Sequence, residues 1–193
     1  MRVRTIGALV AMMGVAFTAQ AQERDRYLLL AAFKTGTMQE EVNAAAATGY
    51  RVIAASRTEG AEVVVVLEQA SGSYQYRLLA TTKTGTLQRE LNDAAEAGFR
   101  VVQRAVTTKR SGSVGNAALR ALGGRSDPGE GELLILMEKG PEVATKTEYQ
   151  VVATNRTGTL QKEISQAALN GYTLLALVSR DEHIAILERT SKQ

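Results

Sequence analysis

Apolar positions fall into three blocks of one design, separated by polar turns. Tyr76-Arg-Leu-Leu-Ala-Thr-Thr and Tyr149-Gln-Val-Val-Ala-Thr-Asn open two of the blocks and the stretch from Tyr27 the third. Such runs of β-formers closed by polar residues predict short strands. Next comes a segment with apolar residues at i, i+4, i+7 and i+8, which in the second block are Leu87, Leu91, Ala94 and Ala95. That period predicts a helix with one buried face, its alanines allowing close approach to a sheet, while Gln88, Arg89, Glu90 and Asp93 point to water. Tyr50-Arg-Val-Ile-Ala-Ala, Phe99-Arg-Val-Val-Gln-Arg and Tyr172-Thr-Leu-Leu-Ala-Leu predict second strands. Val63-Val-Val-Val-Leu-Glu, Leu133-Leu-Ile-Leu-Met-Glu and Ile184-Ala-Ile-Leu-Glu predict third strands, apolar on both faces and closed by a glutamate.

The blocks align without gaps. A tyrosine (Tyr27, Tyr76, Tyr149) lies nine positions before a glycine (Gly36, Gly85, Gly158), and a second glycine (Gly49, Gly98, Gly171) lies thirteen after it. Internal repetition of this kind sets the architecture before any other feature. The fold expected is α+β, three tandem β-α-β-β modules at 22–70, 73–139 and 147–190, each a three-stranded sheet with one covering helix. Strands apolar on both faces belong at the centre of a sheet, and a right-handed crossover runs the second strand in the direction of the first. The strand order expected is therefore 1-3-2. The second sheet face then needs a cover, and the sister modules supply it in a pseudo-threefold assembly with sheets inward and helices outward; a single extended sheet is the alternative.

Each predicted helix follows a Thr-Gly-Thr turn whose second threonine (Thr37, Thr86, Thr159) is a natural N-cap. The second glycine ends the helix in a left-handed conformation that costs glycine nothing. The second module also carries an insertion, 107–131, rich in glycine and serine, where the other modules have tight turns. Its composition resists packing, and Lys109, Arg110, Arg120 and Arg125 offer contacts to a partner protein; a tolerated surface insertion is the plainer reading.

The pattern Tyr-x-(Val/Leu)-(Val/Leu), leucine and asparagine on a helix, Gly-(Tyr/Phe)-(Arg/Thr)-(Val/Leu), then an apolar strand ending in glutamate resembles a family of small bacterial β-α-β-β domains of unknown function. Those domains commonly carry Gly-Trp-Glu-Leu-Val where this chain has Gly49-Tyr-Arg-Val-Ile, Gly98-Phe-Arg-Val-Val and Gly171-Tyr-Thr-Leu-Leu. The resemblance covers most of the chain after residue 21. It implies a fold and no catalytic residues.

The beginning of the chain reads as an export signal: Arg2 and Arg4, an apolar run from Ile6 to Phe17, and Ala19-Gln20-Ala21, a small-x-small site for cleavage after Ala21. An uncleaved anchor is the rival reading. After cleavage no membrane span is expected, and the periplasm or the cell exterior is the expected location. Export alters the charge argument, because the chain's 23 basic residues lose Arg2 and Arg4 and leave 21 against 20 acidic ones. No basic field remains to displace counterions from phosphates, so nucleic acid is not an expected partner. With no cysteine, the fold rests on apolar burial rather than disulfides.

For chemistry, the sequence offers the three Thr-Gly-Thr segments with a preceding cation: Lys34, Thr35, Gly36 and Thr37; Lys83, Thr84, Gly85 and Thr86; Arg156, Thr157, Gly158 and Thr159. Free N–H groups at a helix start, with a positive dipole end and a cation, suit a small anion; a turn and cap without ligand is the simpler reading. Gln39, Gln88 and Gln161, with Glu41, Glu90 and Glu163, recur on the first helical turn, where capping and solvation explain them and pairing between modules is the alternative. His183, the single histidine, has no second imidazole or thiol for a metal site. No cofactor and no nucleophile–base pairing is expected. The functions expected are a non-enzymatic structural or protein-interaction role, with a protein partner or self-association, and alternatively small-ligand binding at the turns or between modules.

Overall fold

The computed structural model describes residues 25–58, 62–109, 131–141 and 145–191. The expected leader and cleavage site, and 110–130 of the insertion, lie outside the described residues. Thr107, Thr108 and Lys109, assigned to the insertion from sequence, instead continue a strand, so the insertion begins later than its composition suggested.

The elements run β1 (Tyr27–Ala32), α1 (Thr35–Ala47), β2 (Tyr50–Arg57), β3 (Val63–Gln69); β4 (Gln75–Thr81), a 3-10 turn (Thr84–Thr86), α2 (Leu87–Glu96), β5 (Arg100–Lys109), β6 (Glu132–Lys139); β7 (Lys146–Thr154), α3 (Thr157–Leu169), β8 (Thr173–Ser179), β9 (His183–Ser191). They form three three-stranded sheets in the orders β1-β3-β2, β4-β6-β5 and β7-β9-β8. The third strand of each module is central and antiparallel to both neighbours. In the second and third modules the most apolar segment thereby has both faces covered, as the hydrophobic effect favours; in β3 one face, Val64 and Val66, is only half-buried. The three sheets share their register, with Tyr27 opposite Glu68, Tyr76 opposite Glu138 and Tyr149 opposite Glu188.

Gly49, Gly98 and Gly171 have φ of 92°, 89° and 81°. In the second and third modules the next amide reaches back to the helix, Phe99 N–H to Ala94 C=O (3.0 Å) and Tyr172 N–H to Ala167 C=O (3.1 Å). This closes the last turn in the Schellman manner. Every second strand carries a bulge just after the glycine: Val52 to Ala54, Leu174 to Ala176, and a larger one in β5, where Val101 faces Met137 and Val106 already faces Ile135.

The core shows how the modules fit together. One cluster joins α1 and the first sheet (Met38, Val42, Val52, Val65, Leu67) to one face of the second sheet (Tyr76, Leu134, Leu136). A second joins α2 and the other face of the second sheet (Leu87, Leu91, Leu133, Ile135) to one face of the third sheet (Tyr149, Ile184, Ile186). A third, smaller cluster lies between the third sheet and α3 (Val152, Ala167, Ala185, Leu187). Alternate residues of β6 and β9 thus serve alternate neighbours, the period of two expected of a strand.

The second sheet shares one face with its own helix and the third module and lays the other face against the first module; the first sheet meets only the module after it and the third only the module before it. This differs from the expected ring. Among the described residues no core cluster joins the first module to the third, and the helices lie at the junctions, α1 against β4 and α2 against β7. The modules follow one another head to tail. Among the described residues no helix is long and apolar enough to cross a membrane.

Candidate functional site: the junctions between modules

The polar residues that recur in the sequence meet at the junctions. At the first, Gln39 on α1 donates from Nε2 to Tyr76 C=O (2.7 Å) and accepts Leu78 N–H at Oε1 (2.6 Å). One turn later Asn43 accepts Tyr76 N–H at Oδ1 (2.9 Å) and donates from Nδ2 to Tyr76 C=O (3.1 Å). The spacing of four residues puts both amides on one helix face, where they hydrogen-bond to the free edge of β4. An edge strand exposes unpaired N–H and C=O groups, and a carboxamide, being both donor and acceptor, matches them.

The tyrosine completes the junction. Its ring is buried, and its hydroxyl accepts Val52 N–H (2.9 Å) at the bulge of β2, where the sheet ladder leaves that amide free. The same hydroxyl donates to Glu138 Oε2 (2.6 Å). Glu138 in turn accepts three bonds from Arg51, two from Nε (3.1 and 3.0 Å) and one from Nη2 (2.8 Å), a charge-assisted fork of the strong kind. Burial first, and then the bond to Glu138, push the Tyr76 hydroxyl far above the ordinary tyrosine range.

The second junction repeats the plan. Asn92 accepts Tyr149 N–H (2.7 Å) and donates to Tyr149 C=O (3.1 Å), Gln88 accepts Val151 N–H (3.0 Å), and the Tyr149 hydroxyl accepts Val101 N–H (2.9 Å). Burial raises the Tyr149 hydroxyl to about 12. Pairing between modules, and not capping or solvation, is therefore the role of Gln39 and Gln88; Asn43 and Asn92 make the same kind of contact with no expectation of it from the sequence. A polar side chain on the outer face of an amphipathic helix carries no mark that another sheet edge lies against it. The signal available was the recurrence of Gln-x-x-x-Asn with a tyrosine at fixed spacing.

The Thr-Gly-Thr segments are helix, not loops. Thr35 and Thr157 are the first residues of α1 and α3, and Lys34 and Arg156, extended at φ −109° and −111°, occupy the cap positions without a side-chain bond. Thr37 and Thr159 lie inside the first turn, so neither is an N-cap. Thr86 is at the cap position of α2, but its hydroxyl donates to Glu90 Oε1 (2.6 Å) instead of bonding a free amide. The helix begins earlier than expected because Thr-Gly-Thr adopts helical dihedrals itself.

Two of these turns touch the next module. Lys109 Nζ donates to Phe33 C=O beside the first, and beneath it Lys34, Thr35 and Met38 border an apolar cavity of about 10 Å³, room for one water. At the second, Thr84 donates to Glu182 Oε1 (2.8 Å), and Arg180 donates to the carbonyls of Gly131 (2.6 Å) and Thr82 (2.9 Å). Gly85 and Lys83 share this turn. The third turn, Arg156 to Thr159, stands in solvent, and the structure brings no two of the three turns together. An open cleft of about 1190 Å³ lies between β2, β5 and the chain before β7, with Arg51, Arg100, Lys139, Glu96 and Glu148 on its walls. His183 opens β9 with its Nδ1 2.9 Å from Ser179 Oγ; Asp181 sits on the same turn, which crowds the three beyond any triad geometry. No family model, curated protein or solved structure matches this chain.

Proposed function

We propose that this chain is an exported, non-enzymatic structural or protein-interaction protein, built from small bacterial β-α-β-β modules, whose recurring polar residues lock module to module. One observation carries the reading: Gln39, Asn43, Tyr76 and Glu138 at one junction, and Gln88, Asn92 and Tyr149 at the next, make hydrogen bonds to the neighbouring module. Side chains used in this way are not poised for substrate. The test is one double variant: Gln39→Ala with Asn43→Ala should lower the melting temperature in one cooperative step, because the first and second modules share a core. A melt that is unchanged overturns the reading.

Small-anion binding is the second reading, favoured by the third turn, where Arg156, Thr157 and Gly158 are exposed. In this reading sulfate, at ionic strength matched with chloride, raises the melting temperature by mass action, and charge removal at Lys34, Lys83 and Arg156 abolishes the rise. A rise equal in parent and variant is the general effect of an excluded salt and rejects the turns as a binding site.

A further inference from the structure

The junction is heterologous: a tail surface on one module (helix, bulged strand) receives a head surface on the next (first strand, central strand). Two tails and two heads are used inside the chain, so one head and one tail are left over. The free head is on the first module. Tyr27 is 51 % exposed, while its equivalents Tyr76 and Tyr149 are 3 % and 1 % exposed. Leu29 beside it is 62 % exposed, and Val64 and Val66, which stand where Leu134, Leu136, Ile184 and Ile186 stand in the other modules, are only half-buried.

The free tail is on the third module. Leu174 and Leu177 are 41 % and 51 % exposed, whereas Val52, which corresponds to Leu174, is 2 % exposed beneath the second module. Leu160 and Ile164 are half-buried on α3 where Leu87 and Leu91 are fully buried on α2. Gln161, the counterpart of Gln39 and Gln88, makes its bond to Ser165 of its own helix (3.1 Å).

The geometry points to association of this chain with further copies of itself, the first module of one copy docking on α3 and β8 of another. A second copy is the occupant because the head is met twice in the structure, each time by a tail of this design, so the fit is already displayed. In the new junction Tyr27 would cover Leu174 and Ile164, its hydroxyl would accept Leu174 N–H at the bulge, and Gln161 would turn to Leu29 N–H. A heterologous contact of this kind builds open strings, or rings where the rotation closes.

Two positions moderate its strength. Ser165 stands where the other helices have Asn43 and Asn92, and Thr173 where the other strands have Arg51 and Arg100. The junction between copies thus lacks one carboxamide and the arginine that would face Glu68. It also lacks the short tether that gives the internal junctions a high effective concentration. Association is accordingly weak, reversible and dependent on concentration.

The inference rests on the junction reading above, and its test is separable from it. Sedimentation velocity on the full chain over a wide concentration range is expected to show growth of assemblies beyond the monomer. Tyr27→Lys, which sets a cation opposite Glu68, and Leu174→Glu should each leave the melting temperature near that of the parent and each abolish growth. Ser165→Asn with Thr173→Arg should tighten association on the order of tenfold, the worth of one or two net hydrogen bonds. Assemblies that persist in both the Tyr27→Lys and the Leu174→Glu variants overturn the inference, as does a chain that stays monomeric in both the parent and the Ser165→Asn/Thr173→Arg form. Neither result touches the internal junctions, whose test is the melt of the Gln39→Ala/Asn43→Ala variant.

Discussion

The two internal junctions share one plan and differ in electrostatics. At the first, Glu138 is held by Arg51 and by the Tyr76 hydroxyl, so a largely buried carboxylate has its charge met. At the second, Arg100 turns to Thr145, reaching its carbonyl and its hydroxyl (2.7 Å), and its Nη1 is buried without a partner. Glu188, the counterpart of Glu138, is left with only the field of Arg100, and burial raises its carboxyl above the usual carboxylate range. Both arginines stand in register on their own sheets, Arg51 opposite Glu68 and Arg100 opposite Glu138, each one residue before the strand's bulge, so the difference lies in the acceptor that each side chain reaches. A repeated sequence therefore repeats the backbone contacts of a junction more faithfully than its ion pairs, because a long flexible cation takes whichever acceptor is nearer.

The sharpest way to break the contrast is at the glutamates. Glu138→Ala should destabilise by about 2–3 kcal/mol in chemical denaturation, less than for a fully buried pair since Arg51 can return to water; Glu188→Ala should cost well under half of that. Equal losses would mean that both carboxylates are held alike. Next come the tyrosines. Tyr76→Phe removes a donor to Glu138 and strands Val52 N–H, at about 2 kcal/mol, while Tyr149→Phe strands only Val101 N–H, at about 1 kcal/mol. The same denaturation curves order the pair, and a reversed order would contradict the assignment of hydroxyl partners.

A smaller effect separates the junctions by pH. The folded-state pKa of Glu188 is raised, so the folded protein favours the neutral acid. No penalty exists below the unfolded pKa of about 4.3; it grows as pH rises through the raised folded value and is complete above it. Glu188→Gln should therefore stabilise the protein at pH 7 by roughly a few tenths of a kcal/mol, the side chain being half open to solvent, and by nothing at pH 4. Melting temperatures at the two pH values check the sign, and a gain that is larger at pH 4 would refute it.

Strand order and helix ends were legible in the sequence because each depends on one local property. Double-faced apolarity places β3, β6 and β9 at the centre of their sheets, and a glycine is the residue that φ near +90° admits most readily at positions 49, 98 and 171. The junctions were not legible. Gln39 and Asn43 look solvated on any helical projection, since the edge they bond lies 33 to 39 residues ahead. The helix starts differ from expectation for the opposite reason: local preference puts a threonine at the cap, whereas the backbone of Thr-Gly-Thr is itself helical. The head-to-tail order lay beyond periodicity altogether: an apolar face announces that it needs cover and not which neighbour provides it.

The interleaved core has a consequence for how the chain emerges during synthesis. Arg51 and Glu138 lie 87 residues apart, and Val52 packs in one cluster with Leu134 and Leu136. The first module cannot seal its hydrophobic face until the whole second module, insertion included, has left the ribosome. From the end of β3 at Gln69 to the end of β6 at Lys139 it stays loosely closed, and compaction then advances in two delayed steps, the second when β9 appears. A chain held open in this way remains threadable for longer than one whose domains each finish before the next begins.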